Sequence, residues 1–143
     1  MLIRLIAIAA LLAVASLAYV WWQGRQGKVR RVERPGALSP VTLGAARGPR
    51  ATFVQFSTPM CAKCPPTAAL LKGVAAEQPH VSHIEIDAAE RLDLARELGI
   101  MRTPTTLVLD SDGVVVARMD GAPSIAQARE ALAAVPPPTE YAI

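Results

Sequence analysis

The stretch Thr52-Phe53-Val54-Gln55-Phe56-Ser57-Thr58-Pro59-Met60-Cys61-Ala62-Lys63-Cys64-Pro65-Pro66 decides how this chain is read. A short apolar run ends in a Ser-Thr-Pro loop, and the loop delivers the protein's 2 cysteines, three positions apart. A strand that feeds Cys-x-x-Cys into the start of a helix holds a dithiol where it can be oxidised and reduced. The thiolate is the nucleophile, and an ordinary cysteine near neutral pH is mostly protonated. A helix N-terminus places partial positive charge and free N–H groups beside the first cysteine and favours its ionised form. Lys63 adds a full charge nearby. Cys61 is therefore the expected attacking thiol. Cys64, about one turn in, is placed to attack a mixed disulfide on Cys61 and release the partner.

Other uses of two cysteines are weaker. A disulfide across three positions closes too small a loop to stabilise a fold much. A mononuclear zinc site needs four ligands, and only His80 and His83 remain, with His83 on a different element. Two inert buried thiols are the remaining bland reading. Met60, beside the pair, suits soft-metal chemistry better than zinc.

Working outward, Ala51 to Ser57 reads as a buried central strand, with Phe53, Val54 and Phe56 in the core. Cys61 to Glu77 reads as a helix with Ala68, Leu71 and Ala75 on one face. Val81 to Asp87 alternates as a strand, and Ala88 to Leu98 is a helix stopped by Gly99. Thr105 to Asp110 is a strand, Ser111-Asp112-Gly113 a hairpin turn, and Val114 to Met119 its return. Pro123 to Val135 is a last helix starting near Ser124 and stopped by Pro136-Pro137-Pro138. The order is β-α-β-α-β-β-α, an α/β sheet covered by helices. His83 reads as an edge or surface residue. Asp87, Glu90, Arg91, Asp93, Arg96 and Glu97 read as the solvated face of a helix.

Upstream, hydrophobic content of 52% is high for a soluble domain, and one segment explains it. Leu5 to Trp22 is apolar except for Ser16. Its length as a helix is about 27 Å, close to the roughly 30 Å hydrocarbon core of a bilayer. Tyr19, Trp21 and Trp22 suit an interfacial aromatic belt. Ser16-Leu17-Ala18 resembles a signal-peptide cleavage site, but the apolar run continues past it and only Arg4 precedes it, which favours an uncleaved anchor. Residues 1–49 hold seven Lys/Arg and one acid, and residues 50–143 hold eight Lys/Arg and eleven acids. The basic excess thus lies beside the membrane segment, where anionic headgroups attract it. No basic, aromatic-studded face appears in the rest, so nucleic acid is not an expected partner. Arg25, Lys28, Arg30, Arg31 and Arg34 outweigh Arg4 on the other flank, so the positive-inside rule leans the domain to the cytoplasm. Ser39-Pro40-Val41-Thr42-Leu43 fits a short helix with Ser39 as N-cap and Pro40 first.

The strand, Cys61-Ala62-Lys63-Cys64 and helix are followed by a strand ending in Asp87, a helix, then Arg102-Thr103-Pro104-Thr105 and a hairpin at Asp112-Gly113. Together these resemble the thioredoxin superfamily over residues 51–135. The wording of the sequence is similar to membrane-anchored thioredoxin-family proteins of high-GC Gram-positive bacteria. The resemblance implies a three-layer α/β/α fold, here shortened at its N-terminus because no opening strand and helix stand out between Val29 and Arg50. A sheet of four strands is expected, with an irregular segment at its edge. It also implies that Cys61 is the nucleophile, Cys64 the resolving thiol, and Pro104 cis and packed against the pair. Thr103 would offer backbone hydrogen bonds to an extended stretch of the partner. Four positions depart from the pattern and would modulate the site. Met60 replaces the usual tryptophan, Ala62-Lys63 replaces Gly-Pro, and Gln55 stands where a buried aspartate helps to move the second cysteine's proton. Gln55 cannot ionise. Pro65 and Pro66 directly after Cys64 imply a loose or late helix start.

The expected organisation is an anchor over 1–23, a basic linker over 24–50, a thioredoxin-like domain over 51–135 and a Pro-rich tail over 136–143. The expected function is a membrane-anchored, monomeric thiol–disulfide oxidoreductase. Its partners are protein thiols and disulfides, membrane lipid meets residues 5–22, and it needs no metal or organic cofactor beyond the Cys61–Cys64 redox pair. The alternative is a thioredoxin-like module that holds a client or a soft metal without turnover.

Overall fold

Every residue of β2 (Ala51–Ser57) is buried, because helices cover both faces of the strand and neighbours flank both edges. The computed structural model describes residues 1–31 and 37–136. Val54 and Phe56 point to one face, with Ile84 and Ile86 of β3 (Val81–Asp87) and Leu107 and Leu109 of β4 (Thr105–Asp110). Phe53 points to the other, with Val108 of β4 and Ala117 and Met119 of β5 (Val115–Asp120). This is the two-residue alternation of a strand applied to a sheet that is apolar on both sides. Leu71 and Val74 of α3 (Cys64–Glu77) and Ala128, Ala131 and Leu132 of α5 (Ile125–Ala133) close the second face. Leu43 of α2 (Pro40–Leu43) and Leu94 and Ala95 of α4 (Leu92–Glu97) close the first. Each large side chain so buried contributes about 1.5–3 kcal/mol.

β2 runs parallel to β3, which α3 makes possible as the crossover, and antiparallel to β4. The β4–β5 hairpin turns where Asp110 Oδ1 accepts from the N–H groups of Asp112 and Val114, each at 2.9 Å. Gly113 supplies the φ of +86° that this turn requires.

The sheet has five strands where four were expected. The fifth, β1 (Val29–Arg31), lies in the segment read as a linker and pairs antiparallel with β5, giving the order β1-β5-β4-β2-β3. Three residues with an Arg-Arg ending carry too little alternation to announce a strand. The same segment puts Leu38 and Leu43 into the core. α2 is capped as its sequence suggests, with Ser39 Oγ accepting from the Thr42 N–H at 3.1 Å. Other boundaries move inward. Residues 88–90 are a turn fastened by Asp87 Oδ1, which accepts the Ala89 N–H at 2.7 Å, so α4 starts at Leu92. Asp87 thus ends β3 and fastens the turn after it, and does not lie on a helix face. β5 starts at Val115 and not Val114, and α5 covers Ile125–Ala133, capped by Ser124.

α1 (Leu2–Gln23) is an exposed helix of 22 residues, long and apolar enough to cross a membrane. Of the Pro-rich tail only Pro136 is described, and Arg34 lies outside the described residues.

Candidate active site

The two cysteines form a disulfide with Cα atoms 5.4 Å apart. Cys61 is partly exposed and Cys64 is 2% exposed. The outer sulfur is therefore within reach of solvent and the inner one is shielded from it.

The helix does not begin at Cys61 as expected. Residues 61–63 form a turn, and α3 starts at Cys64 with Lys63 as N-cap and no side-chain cap. The cause is Pro65 and Pro66, which have no N–H to donate. The Cys61 N–H goes to the Thr58 carbonyl at 3.1 Å, and the Cys64 N–H to the Cys61 carbonyl at 3.2 Å. The first three residues of the helix therefore offer no spare donor, contrary to the expectation of free helical N–H groups. The amides without a backbone partner among the described residues are those of Ala62 and Lys63, in the turn between the cysteines.

Lys63 donates through Nζ to Gln26 Oε1 at 3.1 Å, and its ammonium lies 5.7 Å from the centre of the Trp22 ring. The Cys-x-x-Cys turn thus touches the end of the apolar helix. Sequence reasoning gave Lys63 a role toward Cys61 and missed this contact, because the pairing of β1 that brings Gln26 here was not visible. Beside it, Gln23, Gln26, Pro66, Leu70 and Pro123 border a groove of about 320 Å³.

The Thr103–Pro104 bond is cis, and Pro104 is buried. The Pro104 carbonyl accepts the Gly121 N–H at 2.8 Å, and Thr105 Oγ1 donates to the Arg102 carbonyl at 2.7 Å, which fixes the loop into β4. The Thr103 and Thr58 hydroxyls are 3.3 Å apart, so this loop meets the loop that carries the cysteines. Thr103's backbone N–H and carbonyl have no backbone partner among the described residues. Met60 and Met101, one on each loop, are 93% and 90% exposed.

Gln55 is fully buried and its amide is saturated. Nε2 donates to the Cys64 carbonyl and to Ser57 Oγ, both at 3.0 Å, and Oε1 lies 3.0 Å from His83 Nε2. His83 is on the edge strand as expected, but its side chain is half-buried and not on the open surface. Burial and then Lys72 push its pKa below the ordinary value, with Glu85 opposing. Its alternation with Ile84 and Ile86 was the available signal, since it puts His83 on the opposite face of β3. That this face lies under α3, with Gln55, required the fold. Thr106 pairs with Gln55 across the sheet, and its Oγ1 is buried without a hydrogen-bond partner among the described residues.

Comparison with known proteins agrees with this geometry. A family model described as a thioredoxin-like domain matches residues 39–136. No curated protein matches the sequence. Among solved structures, the oxidised mitochondrial thioredoxin 3 of Saccharomyces cerevisiae is similar with a TM-score of 0.52 and 20% identity, covering 59% of this chain and 77% of that one. Fasciola hepatica thioredoxin gives 0.54 and 22%, covering 62% and 84%. A thioredoxin of Nicotiana alata gives 0.53 and 25%, covering 62% and 76%. With a strand-fed Cys-x-x-Cys disulfide, a facing cis-proline loop and a family match over most of its length, the chain belongs to the thioredoxin-like domain family.

Proposed function

We propose that this protein is a membrane-anchored thiol–disulfide oxidoreductase acting on partner proteins. A thioredoxin-like domain with a close cysteine pair supports a redox role. The observation that carries the finer reading is the unequal exposure of the two cysteines, with Cys64 at 2% and Cys61 partly exposed. In the reduced protein the Cys61 thiolate attacks one sulfur of a partner disulfide. The partner's S–S bond breaks, its other sulfur leaves with the electron pair and takes up a proton, and a mixed disulfide forms. Cys64 then loses its proton to solvent and attacks the Cys61 sulfur. The partner leaves as a dithiol and the Cys61–Cys64 disulfide remains, two electrons poorer. The sulfur pair itself carries the electrons. Thr103 and the cis Pro104 give the partner's extended backbone a place to dock. Met60 and Met101 supply apolar contact beside it.

Residues 5–22 anchor the chain in the bilayer, and only residues 24–28 separate α1 from β1. With Lys63 held to Gln26, the dithiol stays close to the anchor's end and favours partners whose disulfides lie near the membrane. Arg25 and Lys28 flank that end, and the positive-inside rule supports a domain on the cytoplasmic side. An impermeant maleimide applied to intact cells after reduction reads the side. Labelling that needs lysis is the expected result, and labelling of intact cells would refute the assignment.

For activity, the full chain in detergent micelles with a dithiol reductant should turn over a quenched peptide disulfide. Cys61→Ser should fall to the rate without protein. Activity that persists in Cys61→Ser would overturn the proposal.

A further inference from the structure

The orientation of the Gln55 amide follows from one fixed partner. The Cys64 carbonyl only accepts, so the Gln55 atom 3.0 Å from it is the NH2 group. Oε1 then faces His83 and accepts, which puts a proton on His83 Nε2. The ring's second nitrogen, Nδ1, is the one left to titrate. Among the described residues, His83 is thus the titratable side chain that hydrogen-bonds to the group holding the Cys64 backbone. The charged groups that act on it are Lys72, from α3 above it, and Glu85, from its own strand.

We propose that His83 is a positioning residue for Cys64, acting through Gln55, and that it gives the resolving step a histidine-dependent response to pH. The Nε2–H fixes the Gln55 amide so that its NH2 grips the Cys64 carbonyl. Protonation at Nδ1 leaves that hydrogen bond intact and adds a positive charge one amide away from the cysteine. A nearby positive charge favours the thiolate. A saturated amide passes no proton, so the proton of Cys64 leaves to solvent and His83 acts by orientation and charge. Burial and Lys72 keep the ring neutral around neutral pH, so the charge arrives on acidification.

This inference rests on the reading of Cys64 as the resolving thiol, and the experiment separates the two. The reduced full chain in detergent micelles is mixed with dithionitrobenzoate. Cys61 attack releases one thionitrobenzoate and leaves another bound. Cys64 attack on Cys61 then forms the intramolecular disulfide and releases the second. The second rate is measured against pH. In the unchanged chain it should fall less steeply on acidification than thiol ionisation alone dictates, with the shoulder below about pH 6.5. His83→Gln keeps a donor for Gln55 without a charge, so it should restore the neutral-pH rate and lose the shoulder. His83→Leu should slow the second release about tenfold at neutral pH, the size expected for one unmade hydrogen bond of about 1.4 kcal/mol, and also lose the shoulder, while the first release stays fast. A His83→Gln profile that keeps the shoulder, or a His83→Leu rate equal to the unchanged chain, would overturn the inference. So would loss of the first release in His83→Leu, which would show a role in folding alone. Absence of a second release in the unchanged chain would instead overturn the resolving role of Cys64.

Discussion

Two neighbouring side chains beneath the dithiol, Gln55 and Thr106, show opposite solutions to burying a polar group. Gln55 satisfies both ends of its amide, with the Cys64 carbonyl, Ser57 and His83 as partners. Its cost of burial is offset, and it ties the strand under the site to the start of α3. Thr106 Oγ1 is equally buried and has no hydrogen-bond partner among the described residues. An unmade buried hydrogen bond costs about 1–3 kcal/mol. Thr106→Val keeps the branched shape and removes the hydroxyl, so it should raise stability by about 1 kcal/mol, measured by denaturant unfolding of the oxidised protein. A loss of stability would show that the hydroxyl has a partner. The sequence showed Gln55 to be buried and unable to ionise. Ser57 lies two residues along its own strand, but His83 and the Cys64 carbonyl were not legible, because they come from another strand and the start of a helix.

At the scale of elements, the two helices on the second face start in different ways. α5 has a full capping box. Ser124 Oγ accepts the Gln127 N–H at 3.2 Å, and Gln127 Oε1 accepts the Ser124 N–H at 2.8 Å. Ser124→Ala removes one of these and should cost about 1 kcal/mol in unfolding experiments, with the redox behaviour unchanged. A cost near zero would mean that tertiary packing alone holds the helix start. α3 has no such cap. Its prolines delay it by three residues relative to Cys61, which leaves the amides of Ala62 and Lys63 in the preceding turn without a backbone partner among the described residues. The doubled proline announced this, and it was legible in the sequence, as were the central strand and the hairpin. The short edge strand was not. Val29–Arg31 is held by pairing with β5 and by Val29 packing on the second core face, contacts across about ninety residues that no local pattern encodes. The trimming of α4 had a similar cause, since the Asp87 side chain competes for the N–H groups that would have begun the helix.

For the whole molecule, the charge division and the chain path agree. The basic residues gather next to the apolar helix, and the globular part is acidic. The helix end, β1 and the Cys-x-x-Cys turn are joined through Gln26, Trp22 and Lys63. The fold could be read from the order of two motifs and the alternation of strands. The approach of the apolar helix to the dithiol could not, since it depends on where residues 24–28 take the chain. Cys61 is proposed as the sulfur that meets the partner and Cys64 as the one that releases it. Trapping tests this most directly. The full chain carrying Cys64→Ser, reduced and offered a peptide disulfide, should accumulate a one-to-one mixed disulfide that a small thiol reverses. The Cys61→Ser chain should form none. Absence of the adduct in Cys64→Ser, or an equal yield through Cys64 in Cys61→Ser, would contradict the account.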